Sequence, residues 1–92
     1  MEIKQKDNGK TGMFYIEIDN QVVAKMDYSW SATDRILITH TEVNDVLKGK
    51  GAGKQLVAKS VDFAREKHIK IVPLCSFARR VFDTVKEFND VL

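Results

Sequence analysis

The densest chemical signal in the chain is Leu47-Lys48-Gly49-Lys50-Gly51-Ala52-Gly53-Lys54, where three glycines alternate with other residues among three lysines. A glycine has no Cβ, so its backbone reaches positive φ and lets a ligand approach its amide closely. If a helix opens directly after this run, its first N–H groups have no intrahelical partner, and the helix dipole favours negative charge there. With Lys48, Lys50 and Lys54 alongside, the run is a candidate anion site suited to phosphate or pyrophosphate. Two familiar phosphate motifs fail on spacing. In a P-loop register counted back from Gly53-Lys54, Lys48 occupies the first glycine position and Gln55 the place of the metal-binding hydroxyl. The dinucleotide fingerprint requires a third glycine at position 54, which is Lys54. Taken without context, such a run is as often a tight connection as a ligand site.

Other reactive side chains lie to either side of the loop. His40 and Glu42 stand near the end of Arg35–Val43, and Cys75 follows Pro73-Leu74. Strict alternation in a strand predicts Ile36, Ile38, His40 and Glu42 on one face and Leu37, Thr39, Thr41 and Val43 on the other. Imidazole ordinarily titrates near neutrality, which makes His40 a candidate base, although a hydrogen-bonded structural histidine fits the same position. Glu42 reads either as a base or as a solvated strand-end charge. Cys75 reads as a nucleophile with a nearby histidine, or as a small buried apolar residue. His68, at a helix end, reads as compensation of the dipole. Arg79-Arg80 suit a phosphate or an exposed helix face equally. Phe14, Tyr15, Tyr28 and Trp30 read as core or sheet-face residues.

The elements that must position these groups are legible as a change of period. Asn8-Gly9 and Asp19-Asn20-Gln21 are turn signals around Met13–Ile18, whose residues alternate with a period of two. Met1–Lys6, Val22–Trp30 and Arg35–Val43 complete four strand-like segments in an antiparallel meander. After the glycine loop, Lys54–His68 places Leu56, Val57, Val61 and Ala64 on one stripe of an amphipathic helix, with Ser60 within the buried arc. Lys70–Leu74 is a short strand in which Pro73 requires an edge or an interrupted ladder. The tail Ser76–Leu92 is helical, in two pieces. The order β-β-β-β-α-β-α predicts an α+β fold with a mixed, mainly antiparallel sheet of about five strands, the last joined by a parallel crossover.

Composition narrows the classes further. Ninety-two residues make one domain, 1–92. Fifteen Lys+Arg against 13 Asp+Glu leave a net charge of +2, a weak electrostatic footprint for a nucleic-acid binder. One cysteine excludes an internal disulfide and a cysteine-rich zinc site, and no metal is expected. No 18 apolar residues run together and no signal-like segment opens the chain, so no membrane partner is expected and a reducing cytoplasm is the expected compartment.

Lys48-Gly49-Lys50-Gly51-Ala52-Gly53 resembles the acetyl-CoA pyrophosphate loop of GNAT-type N-acetyltransferases, Gln/Arg-x-x-Gly-x-Gly/Ala followed by a helix. Lys48 stands where that family usually has Gln or Arg. The sequence is closer to a subgroup of short GNAT-like domains: His40-Thr41-Glu42-Val43, Gly49–Gly53 and Pro73-Leu74-Cys75 occur here in the subgroup's order. The tail departs from that subgroup, with Val85-Lys86-Glu87-Phe88 where His-Pro-Glu-Tyr is usual. The resemblance implies acetyl-CoA as co-substrate, its pyrophosphate on the amides of Lys48, Gly49, Lys50, Gly51, Ala52, Gly53 and Lys54. It implies splayed fourth and fifth strands with the pantetheine arm between them, and an oxyanion donor among the backbone amides near Glu42–Val43. His40, Glu42 and Cys75 then become the candidates for proton transfer or acyl chemistry. The implied activity is acetyl transfer to a primary amine by direct attack; the alternative is a CoA-binding or regulatory module without efficient catalysis. The acceptor is not specified, and a protein substrate or a second subunit completing the pocket would each suit so short a chain.

Overall fold

Local turn chemistry builds the sheet of the computed structural model, which describes residues 1–92. At the first turn the Asn8 side chain accepts from the amides of Lys10 and Thr11 at 2.9 Å, and Gly9 takes φ +88°. This reverses β1 (Lys4–Asp7) into β2 (Thr11–Ile18). Asp19 and Asn20 both adopt left-handed φ, the tight-turn geometry that joins twisted antiparallel strands, and lead into β3 (Gln21–Ala32). A third turn opens β4 (Arg35–Val43). Asn44 then caps a 3₁₀ turn, Asp45–Leu47, ahead of the glycine loop and helix α1 (Ala52–Lys67). The chain returns through β5 (Lys70–Pro73), α2 (Ser76–Thr84) and a second 3₁₀ segment, Lys86–Val91.

The sheet has five strands in the order β1-β2-β3-β4-β5, antiparallel except for the parallel β4–β5 pair. The α+β, mainly antiparallel reading is therefore correct, strand for strand. Both helices and the C-terminal 3₁₀ segment pack on one face of the sheet. There Phe14, Met26, Tyr28, Ile36 and Ile38 meet Leu56, Val57, Val61, Ala64, Val81 and Phe82 in a single buried cluster. Ser60 joins this face by donating to the Val57 carbonyl at 2.6 Å, which satisfies its hydroxyl without a tertiary partner. No helix is long and apolar enough to cross a membrane.

Two irregularities position the site. The first is a β-bulge in β4: Asp27 pairs with His40 and Tyr28 with Ile38, so Thr39 is an extra residue. The bulge reverses the side-chain alternation beyond it. Cross-strand partners share a face, so Thr41 (opposite Met26) and Val43 (opposite Ala24) lie on the helix-covered face with Ile36 and Ile38. His40 and Glu42, opposite Asp27 and Lys25, turn to the uncovered face. Strict alternation is thus corrected: Ile36 and Ile38 do not share a face with His40 and Glu42. The second irregularity is that β4–β5 pairing stops at Ile38–Pro73. Proline has no N–H to continue the ladder, and β4 runs on alone to Val43.

Candidate functional site

The glycine loop is held at both ends by core residues, Leu47 and Ala52, so its path is set by packing. Within it Gly51 takes φ +71° and forms the N-terminal boundary of α1 without a side-chain cap. The amides of Gly49, Gly51, Ala52, Gly53 and Lys54 donate to no group in the chain. Such a set at the start of a 16-residue helix is an anion cradle. The loop borders a cleft of about 410 Å³, shared with Val43, Asn44 and Phe77. A Cβ added at Gly51 would meet no atom within 4 Å. A Cβ at Gly53 would clash with the Phe77 ring, so α2 packs closely on the loop at this glycine.

Beside the loop, β4 has a free edge. The Asn44 amide donates to the Val23 carbonyl at 2.7 Å, across β3. In an antiparallel ladder the neighbouring Ala24–Val43 pair then points its backbone groups away from each other, and so does Met26–Thr41. The N–H and C=O of Thr41 and Val43 therefore face the side where β5 has ended. Across the opening, the amides of Leu74 and Cys75 both donate to the Ile38 carbonyl, at 2.9 and 3.2 Å, and close its lower end.

Cys75 caps α2: its Sγ accepts from the Ala78 amide at 3.4 Å. The same sulfur lies 3.4 Å from Thr41 Oγ1 on the helix-covered face. His40 is on the opposite face, its Nε2 3.0 Å from Glu42 Oε1. The pairing of Cys75 with a nearby histidine that the sequence allowed is not formed, because the bulge at Thr39 turns the imidazole away. The hydrogen bond from His40, reinforced by its charge and that of Lys25, holds the Glu42 carboxyl below the usual carboxylate range. Glu42 is thus the ionised partner that orients His40. Both side chains are more than half exposed.

Three residues of this region were not singled out by sequence reasoning. Asn44 carries a legible signal, a capping side chain before Asp45 that accepts from the Val46 amide. Thr41 depends on the bulge and Phe77 on the packing of α2, neither of which is encoded in local spacing. Two readings are refined. Arg79 donates through Nε to the Pro73 carbonyl at 3.1 Å, and His68 closes α1 as a left-handed C-cap at φ +57°.

A family model described as GCN5-related N-acetyl-transferase matches residues 13–91. The chain belongs to this acetyltransferase family. Its fold is shared with a protein from Staphylococcus aureus assigned as a GCN5-like N-acetyltransferase and solved by NMR. That protein is 38% identical, with a TM-score of 0.77 over 98% of this chain and 85% of the other. An acetyltransferase structure with acetyl-CoA from Clostridium acetobutylicum superposes with a TM-score of 0.66 at 19% identity, over 84% of this chain and 57% of that one. An aminoglycoside N-acetyltransferase in complex with CoA gives a TM-score of 0.66 at 12% identity, over 90% and 88%. These last two show a common acetyltransferase fold. Among curated proteins nothing matches. The family model spans β2 to the C-terminal 3₁₀ segment and so includes the glycine loop, the free edge of β4 and Cys75.

Proposed function

We propose that this chain is an acetyl-CoA-dependent N-acetyltransferase that passes acetyl to a primary amine by direct attack. The observation that carries the reading is the pair of unpartnered backbone surfaces meeting at one cleft: the loop amides of Gly49, Gly51, Ala52, Gly53 and Lys54, and the free β4 edge at Thr41 and Val43. The first fits a pyrophosphate, with Lys48, Lys50 and Lys54 adding charge. The second fits an extended amide-bearing arm that pairs with a strand edge. Acetyl-CoA combines both and supplies an activated thioester.

The residues then divide the chemistry. The Val43 amide, aimed into the opening, donates to the oxyanion that develops on the thioester carbonyl. The neutral amine forms the new C–N bond as the C–S bond breaks, and CoA leaves as its thiolate. His40, oriented by Glu42, accepts the amine proton, which passes to solvent or to the departing sulfur. Cys75 stays covalently unmodified, its sulfur occupied with capping α2 beside Thr41. The exposed His40–Glu42 pair on the free stretch of β4 favours catalysis over a module that only holds CoA.

Thermal-shift titrations with acetyl-CoA, CoA and ATP test the cofactor assignment. A ligand at 100 times its Kd adds about 2.7 kcal/mol, which for a domain this small raises Tm by roughly 10–20 °C. Stabilisation by the two CoA species and not by ATP is expected; an equal response to ATP, or none to acetyl-CoA, refutes it. Release of free thiol with primary amines then distinguishes turnover from binding alone.

A further inference from the structure

A cleft of about 590 Å³ opens at the far end of α1 from the glycine loop, and it shares no residue with the anion cleft. It is bordered by Gln5 and Asp7 on β1, Trp30 on β3, and Phe63 and Lys67 on α1. Lys67 ends the 16-residue helix whose first residue, Ala52, borders the anion cleft, which puts about 20 Å of helix between the two. The hydrogen-bond acceptors of this cleft are held in place. The buried Tyr28 hydroxyl accepts from Gln5 Nε2 at 2.8 Å and donates to Asp7 Oδ2, which also accepts from the Trp30 indole N–H at 3.0 Å. Gly12, opposite Tyr28, makes room for that ring, since a Cβ there would overlap it. The Trp30 and Phe63 rings stand edge to face with centroids 6.1 Å apart, both only partly buried. Two opposite charges thus border one cleft, and neither Asp7 nor Lys67 forms an ion pair with the other or with any further group.

We propose that this cleft binds a free α-amino acid with an apolar side chain, as a second ligand site separate from acetyl transfer. An unpaired carboxylate and an unpaired ammonium on one cleft call for a ligand that carries both opposite charges. The ligand ammonium meets Asp7 and the side-chain carbonyl of Gln5, whose amide nitrogen is already committed to Tyr28. The ligand carboxylate meets Lys67, whose flexible stem brings its charge to the group it pairs with. The apolar side chain lies against Trp30 and Phe63, whose rings offer a large contact area. A simple cation would be repelled by Lys67 and a simple anion by Asp7; the zwitterion satisfies both. Because Tyr28 fixes Gln5 and Asp7 before a ligand arrives, little ordering is left to offset these contacts. Gln5 and Asp7 precede Met13, where the match to the acetyltransferase family begins, so these acceptors lie outside the stretch that defines the family. The site therefore stands independently of the acetyl-transfer reading.

Trp30 is the only tryptophan of the chain, so its fluorescence reports on the cleft directly. Titration of the intact chain with leucine is expected to shift its emission saturably at micromolar to millimolar concentration. N-acetylleucine lacks the ammonium and leucinamide the carboxylate, and each should bind about tenfold or more weakly than leucine. Glycine keeps both charges without the side chain and should also bind about tenfold more weakly. In NMR spectra leucine should move the Trp30 indole N–H and leave the amides of Gly51 and Gly53 unmoved. Lys67→Met keeps an unbranched stem and removes the charge at an exposed helix end, where folding is not at stake. It should weaken leucine about tenfold and leave leucinamide no weaker. The assignment is overturned by the absence of a saturable response to leucine, or by either singly charged analogue binding as tightly as leucine. Shifts confined to the glycine loop, or an unchanged Kd for leucine in Lys67→Met, would overturn it equally.

Discussion

Replacing Gly51 and Gly53 separately with alanine tests why each glycine is there. At Gly51 the new Cβ touches nothing in the protein, so the stability cost comes only from φ +71°. A left-handed conformation costs an L-residue about 1–2 kcal/mol, of which about 0.4–1 returns because alanine orders less freedom on folding. The net loss of about 0.5–1 kcal/mol lowers Tm by about 2–8 °C. Gly51 also borders the cleft beside the unpartnered loop amides, and a methyl there that displaces one charge-assisted hydrogen bond of about 1.5–3 kcal/mol weakens CoA binding about 10- to 150-fold. At Gly53 the balance reverses. Its Cβ would clash with the Phe77 ring, so the cost is overpacking of about 1–3 kcal/mol, reduced if the partly buried ring swings aside. That cost should shrink in a Phe77→Ala background. Calorimetry with CoA and urea denaturation of the four variants measure both quantities. A Gly51→Ala protein that loses stability yet binds CoA like the parent would refute the anion cradle. Absence of coupling between positions 53 and 77 would refute the packing account.

Further outcomes follow from individual contacts. Cys75→Ser retains a capping oxygen and should keep amine acetylation within about threefold of wild type. Intact-mass analysis of the wild-type protein after incubation with acetyl-CoA should find no acetyl on Cys75; an adduct that chases onto amine would replace direct attack with an acyl-enzyme. His40→Ala should lower kcat by about 100-fold or more at neutral pH, with the Kd for CoA unchanged, and full turnover would remove the histidine base. His68→Gly relieves the left-handed C-cap of α1 and should stabilise the fold by about 0.5–1 kcal/mol, read from the urea midpoint. Finally, the buried Tyr28 hydroxyl donates to Asp7 at 2.5 Å, and burial together with that carboxylate pushes its pKa up from 10.0, whereas bonds from Tyr28, Gly9 and Trp30 pull Asp7 below 3.8 despite its desolvation. The raised tyrosine contributes stability that is complete below pH 10.0 and is lost as pH rises toward the folded value. The depressed carboxyl contributes stability present above pH 3.8 and lost on acidification. Tm should therefore fall at both extremes and less steeply in Tyr28→Phe; an identical pH profile in that variant would discount the pair.

Short-range chemistry was enough to place the turns, the helices and the anion loop. Asn8-Gly9 and Asp19-Asn20 dictate their turns through side-chain and backbone conformation, and the change from period two to period three or four marks the passage from meander to helix. The three glycines before an amphipathic run place unpartnered amides at a helix start. Pro73 foretold where the β4–β5 ladder ends, since a missing donor is a property of one residue. Tertiary structure alone decided which groups meet. The extra residue at Thr39 is defined only by the register of β4 against β3, and that single slip sends His40 and Glu42 to the open face while bringing Thr41 to Cys75. Phe77 became part of the loop only when α2 packed on Gly53. Both helices lie on one face of the sheet because that buries one continuous apolar cluster, an arrangement written in no local pattern.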